Sequence, residues 1–156
     1  MTVYLIRHGK TQGNVERRYI GSTDQPLCSQ GRAELRNKTG PEADRIIASP
    51  LLRCRETAEI LYPGKGVEIV DDLRETDFGV FENHTYEELK DDPQYRAWLD
   101  GAGTAAPPGG ESKGEQQART VRAFQNVMAA CGEDERVAFV AVSYTHLRAH
   151  ETDQYL

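Results

Sequence analysis

Four short β-rich runs, Val3–Ile6, Arg45–Ala48, Val67–Val70 and Val137–Val142, alternate with segments of helical spacing, and this alternation restricts the chain to a layered α/β fold. Val137–Val142 is apolar throughout, as befits a strand covered on both faces of a parallel sheet. A helix is expected around Gln30–Asn37 with Ser29 as its cap. Another should open at Ser49-Pro50, with serine capping and proline in the first helical position. Leu51, Cys54, Ala58 and Leu61 then share one face. Asp71 to Gly79 reads as a loop, followed by short helical pieces at Tyr86–Leu89 and Tyr95–Leu99 that Pro93 separates. Gly101–Gly110 holds two prolines and four glycines and reads as a flexible connection. Ser112-x-x-Glu115 matches a capping box, opening a helix that turns Val121, Phe124 and Met128 inward. The expected architecture is α/β in three layers, a mostly parallel sheet with helices on both faces.

A chain of 156 residues is long enough for one domain with a real core, and 28% charged residues beside 38% hydrophobic ones mark it as globular. A net charge of −6 argues against a nucleic-acid surface, which needs a basic face. No apolar stretch approaches the roughly 20 residues of a membrane helix, and no signal peptide precedes the first strand, so a cytoplasmic location is expected. Cys28, Cys54 and Cys131 are far apart and form no Cys-x-x-Cys, which predicts reduced, structural thiols. No metal or other cofactor is expected. His146 and His150 are four apart, a ligand spacing on a helix, but neither they nor His84 form a metal pattern with cysteines.

Four features fall at or just past strand ends, where open α/β sheets collect their ligands: Arg7-His8, the loop around Asn14, Arg53 and Glu75. Neutral imidazole can attack phosphorus, so His8 is a candidate nucleophile. Arg7 and Arg53 are candidate clamps, because a guanidinium pairs bidentately with phosphate oxygens and stays charged. Glu75 is a candidate general acid, a task that calls for partial burial of its carboxyl. Residue types alone leave plainer alternatives open: a strand-end histidine bonded to a carbonyl, an exposed helical arginine, a solvated loop glutamate.

Taken together, the ordered residues resemble the histidine phosphatase superfamily, which includes the cofactor-dependent phosphoglycerate mutases. The resemblance runs through Leu5-Ile6-Arg7-His8-Gly9-Lys10-Thr11, Asn14, Arg18-Tyr19-Ile20-Gly21 with Asp24, Pro26-Leu27 and Gly31. It continues through Ala48-Ser49-Pro50-Leu51, Arg53, Thr57-Ala58, Leu73-x-Glu75, Phe78-Gly79 and Pro108-Gly109-Gly110-Glu111-Ser112. It implies His8 as the phosphorylated nucleophile, Arg7 and Arg53 as phosphate ligands, Glu75 as acid and base, and Asn14 on the transferred group. Thr11, Tyr19 and Gly21 would line the pocket. The implied activity is metal-independent hydrolysis of small phosphomonoesters. The short Phe78–Gly110 insertion fits a phosphatase better than a mutase, and Phe78–Asn83, the Tyr95-x-x-Trp98 pair and the Pro-Gly-Gly-Glu-Ser run are most similar to α-ribazole phosphatases of cobalamin synthesis and similar too to general small-phosphoester phosphatases. The implied partner is a small phosphoester, with no nucleic acid and no membrane; oligomeric state is not legible.

The pattern expects a second histidine after Ser143, where Tyr144 stands, and nothing matches from there on. The run Ser143–Thr152 resembles a translated adapter sequence. Residues 1–143 are therefore read as an incomplete phosphatase domain, C-terminally truncated, and 144–156 as a tail outside the family, the rival reading being a natural divergent terminus. A lost hydrogen-bond donor to the phosphoryl oxygens commonly costs about 10²–10³ in rate. That keeps two further readings open: a non-catalytic phospholigand-binding remnant, and a mutase-type phosphotransferase.

Overall fold

In the computed structural model, residues 1–141 are described; Val142 to Leu156, with Tyr144, His146 and His150, lie outside the described residues. A four-stranded sheet runs in the order β1-β4-β2-β3, from Thr2–Arg7 (β1), Arg45–Ala48 (β2), Glu68–Ile69 (β3) and Arg136–Ala141 (β4). Every strand pairing within this sheet is parallel, with Val3 opposite Val137 and Ile47 opposite Phe139. Side-chain alternation along the strands divides the core in two. Ile46, Ala48, Ala138 and Val140 face one layer, with Leu35, Cys54, Ala58 and Leu61. Leu5, Ile47, Val137, Phe139 and Ala141 face the other, with Ala123 and Val127. The first layer is built by Ser29–Leu35 (α2) and Leu52–Leu61 (α3), and the second by Lys113–Ala129 (α6). This is the α/β arrangement with helices on both faces of a parallel sheet. Among the described residues, no helix is long and apolar enough to cross a membrane.

Several boundaries differ from the sequence reading for local reasons. Cys28 caps α2 rather than Ser29, its sulfur accepting the Gly31 N–H at 3.4 Å, and the helix ends at Leu35 instead of Asn37. Ser49 does not cap α3 directly. The Leu52 N–H at that helix start donates instead to Asp24 Oδ1 at 2.7 Å, a cap brought from a distant loop. A one-turn helix, Gln12–Val15 (α1), fills the stretch after β1. It is closed by a capping box between Thr11 and Asn14 that has no glutamate to announce it.

Pro93 does not separate two helices but starts the second. Tyr86–Leu89 (α4) is followed by Pro93–Asp100 (α5), with Asp92 capping it and proline in the first turn. The Gly/Pro segment follows a fixed path, held by Trp98 Nε1–H to the Ala105 carbonyl at 3.1 Å and Val80 N–H to the Pro108 carbonyl at 3.0 Å. The Ser112–Glu115 capping box forms as expected. The buried stripe of α6 is Gln116, Arg119, Ala123 and Val127; Phe124 and Met128 pack at its margin, and Val121 is only half-buried.

A third cluster stands beside the sheet. Phe81, Leu89 and Tyr95 are buried, with Tyr19, Phe78 and Trp98 packed on them. Tyr19 meets Phe78 at 5.2 Å and Trp98 at 5.9 Å between ring centroids, in tilted and edge arrangements that suit aromatic quadrupoles.

Candidate active site

The carboxyl end of β1 delivers Arg7 and His8 to the rim of the sheet. The His8 N–H continues the ladder onto the Ala141 carbonyl at 3.1 Å, so the last turn of β1 is pinned to the end of β4. On the imidazole, Nδ1 lies 2.7 Å from the Gly9 carbonyl oxygen. A carbonyl only accepts, so Nδ1 carries the proton and Nε2 keeps its lone pair. Burial pulls the His8 pKa down to about 4; the Gly9 bond opposes this, and the Arg53 and Arg7 charges add to it. The ring is therefore neutral at physiological pH. Gly9 is itself fixed by its N–H donating to Thr57 Oγ1 at 3.0 Å, while the Thr57 hydroxyl donates to the Arg53 carbonyl at 2.6 Å.

Arg53, in the first turn of α3, is wholly buried. Two of its nitrogens are held from above by a loop, Nη1 donating to the Thr23 carbonyl at 3.0 Å and Nη2 to the Gly21 carbonyl at 2.8 Å. Its Nε–H is buried and has no hydrogen-bond partner among the described residues. A buried donor on a permanent cation, left unpaired, is costly in isolation and suited to an anion. Arg7, by contrast, is exposed at the rim.

Asn14 uses its side-chain oxygen to accept the Thr11 N–H at 3.0 Å, which leaves its amide N–H groups as donors toward the cleft. Thr11 is fully buried and acts as the α1 cap. Two clefts meet at Asn14. One, of about 550 Å³, is lined by Arg7, His8, Lys10 and Lys38 among others. The second, of about 410 Å³, is lined by Tyr19, Glu75, Phe78, Trp98 and Lys113. Tyr19 is tied to Tyr95 by a hydroxyl–hydroxyl bond of 2.7 Å. Gly21 lies beneath the surface; a Cβ there would come within 1.9 Å of the Thr76 carbonyl, so only glycine allows this approach.

The structure thus gathers Arg7, His8 and Asn14 around one cleft and Asn14, Tyr19 and Glu75 around the other, while Arg53 is buried with its charge acting on His8. Thr11 and Gly21 serve as supports. Three contributors were not assigned roles from sequence. Thr57 holds the Gly9 peptide. Glu82 gathers the Gly21–Thr23 loop. Arg119 pairs bidentately with Glu111 at 2.7 Å on each arm and donates to the Asp72, Arg74 and Glu75 carbonyls, fixing the turn that carries Glu75. The Thr57-Ala58 and Pro-Gly-Gly-Glu-Ser matches marked two of these neighbourhoods without revealing the bonds. Among the described residues, no group of three or more His, Cys, Asp or Glu side chains could hold a metal ion, and Cys28, Cys54 and Cys131 are free thiols.

The chain is similar to known proteins in sequence and in fold. The family model for histidine phosphatase superfamily (branch 1) matches residues 3–148. A curated relative from Enterobacter sp. (strain 638), named "Probable phosphoglycerate mutase GpmB", is 35% identical over 136 residues, 82% of this chain. The chain spans 63% of that relative's length. Among solved structures, the α-ribazole phosphatase of Shigella flexneri superposes with a TM-score of 0.82 at 27% identity, covering 91% of this chain and 74% of that one. A phosphoglycerate mutase from Thermus thermophilus gives 0.73 at 34% identity, covering 91% and 78%. With its parallel sheet, its Arg7-His8 rim and a family match over nearly its whole length, the chain belongs to the histidine phosphatase superfamily.

Proposed function

We propose that the protein hydrolyses small phosphomonoesters without a metal, through a phosphohistidine at His8. The observation that supports this most is the pairing of a neutral, Nδ1-protonated imidazole with the buried, unpartnered Nε–H of Arg53 close by. The Nε2 lone pair of His8 attacks phosphorus and the ester P–O bond breaks. Glu75 gives its proton to the departing alkoxide, then takes one from the water that attacks the phosphohistidine, releasing inorganic phosphate and restoring both groups. Arg7, Arg53 and the Asn14 amide bind the phosphoryl oxygens. Their task is placement and charge stabilisation, which is most of what phosphoryl transfer requires of a protein. No cofactor enters these steps.

The aromatic wall of the second cleft, Tyr19, Phe78 and Trp98, supports a leaving group with a flat ring, such as the α-ribazole released from α-ribazole 5'-phosphate. The test is to incubate the chain with a phosphoester in the presence of a chelator and assay for acid-labile phosphohistidine. We expect the label in the parent and none in His8→Ala; full turnover by His8→Ala would end the reading. Two observations favour other outcomes. The relatives named as mutases favour phosphate exchange between hydroxyls, seen as interconversion of phosphoglycerates with little release of phosphate. Tyr144, standing where the sequence pattern has a histidine, favours binding without turnover, which Arg53→Ala would abolish.

A further inference from the structure

Outside the reacting groups, one carboxylate gathers an unusual number of donors. Glu82 sits at the end of the short turn Gly79–Phe81. It accepts the N–H groups of Gly21 at 3.1 Å, Ser22 at 2.8 Å, Thr23 at 3.2 Å and Phe78 at 3.0 Å, together with the Thr23 hydroxyl. Three consecutive backbone N–H groups converging on one anion form a nest, here filled by a side chain of the same protein. Burial pushes the Glu82 carboxyl up, but the bonds from Thr23, Phe78, Gly21 and Ser22 outweigh it and hold the group below its ordinary value.

The loop drawn in by Glu82 supplies, through the Gly21 and Thr23 carbonyls, the two acceptors that hold Arg53. No other side-chain hydrogen bond from the Arg53 guanidinium is found among the described residues. Its direction is therefore set by this loop, and the loop's shape by Glu82. The same turn is braced by Asp77, whose Oδ1 accepts the Ser22 hydroxyl at 3.1 Å and the Gly79 N–H at 2.8 Å.

We propose that Glu82 is a positioning residue of this site: its carboxylate fixes the Gly21–Thr23 loop, whose carbonyls aim the Arg53 guanidinium at the phosphoryl group. The inference rests on the phosphate-binding reading above. Glu82 touches no reacting atom and acts only through Arg53. In Glu82→Gln, one carboxylate oxygen becomes an NH₂ facing N–H donors, so part of the nest is lost at constant volume.

The test measures affinity of the full chain for inorganic phosphate by calorimetry, in the parent, Glu82→Gln, Glu82→Asp, Arg53→Lys and the Glu82→Gln/Arg53→Lys double variant. Glu82→Gln should weaken phosphate binding about tenfold or more, a charge-assisted network being strongly coupled. Glu82→Asp keeps the charge and should recover part of the affinity. In the Arg53→Lys background, which lacks the guanidinium fork, Glu82→Gln should cost little further affinity, the result that a merely structural role would not give. Unchanged phosphate affinity in both Glu82 variants, or a Glu82→Gln loss that adds in full to Arg53→Lys, would overturn the proposal. Failure of the parent itself to bind phosphate would overturn the underlying reading and this inference with it, and the parent measurement distinguishes the two failures.

Discussion

At position 8, burial fixes the chemistry of the imidazole before any substrate arrives. With a pKa near 4 in the folded protein and about 6.5 in an unfolded chain, His8 binds a proton in the unfolded state, between those values, that the folded state refuses. More protons on the unfolded side mean that stability rises with pH across that window. Acidification from pH 7 to 4.5 should therefore destabilise the parent more than His8→Gln, by at most about 3 kcal/mol. Urea unfolding of both proteins at the two pH values checks it, and equal losses would show that His8 is not held neutral by the fold. Arg53 presents the complementary case. Its guanidinium is buried, and an Nε–H with no partner among the described residues raises the energy of the site itself.

At the scale of elements, α3 carries two residues of the candidate site, Arg53 and Thr57. Its start depends on Asp24, whose carboxylate caps the Leu52 N–H. Asp24→Ala should cost about 1 kcal/mol, the usual worth of an N-cap, read as a lowered midpoint in denaturant. The same change in Ser49, a poorer acceptor at 3.4 Å, should cost less. The contrast shows where sequence reading stops. Apolar content placed all four strands, and the Ser112–Glu115 box placed α6, because those signals are local. Thr85-x-x-Glu88 forms the same box, and its signal is equally local. The α3 cap was not legible, because its acceptor lies 28 residues away along the chain. The same holds for the site. Arg7, His8, Asn14, Arg53 and Glu75 were named from type and position, whereas Thr57, Glu82 and Arg119 act through backbone groups that only folding brings to them.

For the whole molecule, the sheet is the rigid reference. Phe139 is buried at its centre and packs on Phe124 with ring centroids 5.0 Å apart. Phe139→Ala should lower stability by about 3–5 kcal/mol, as large-to-small core changes do, measurable by thermal melting. Cys54 reports on the opposite face. It is wholly buried in the other core layer, and burial pushes its thiol up to about 12. Thiolate is the reactive form, so Cys54 should resist alkylating reagents in native buffer and react once urea unfolds the chain. Rapid native labelling of Cys54, located by mass spectrometry, would mean that the α3 layer opens easily.

The ladder bond from the His8 N–H to the Ala141 carbonyl joins the beginning of the described chain to its far end. A nascent polypeptide emerges amino end first, so the imidazole leaves the ribosome before its anchoring strand does. On the proposed phosphohistidine reading, reactivity toward phosphoesters should accordingly switch on only when that parallel partner slots in between β1 and β2.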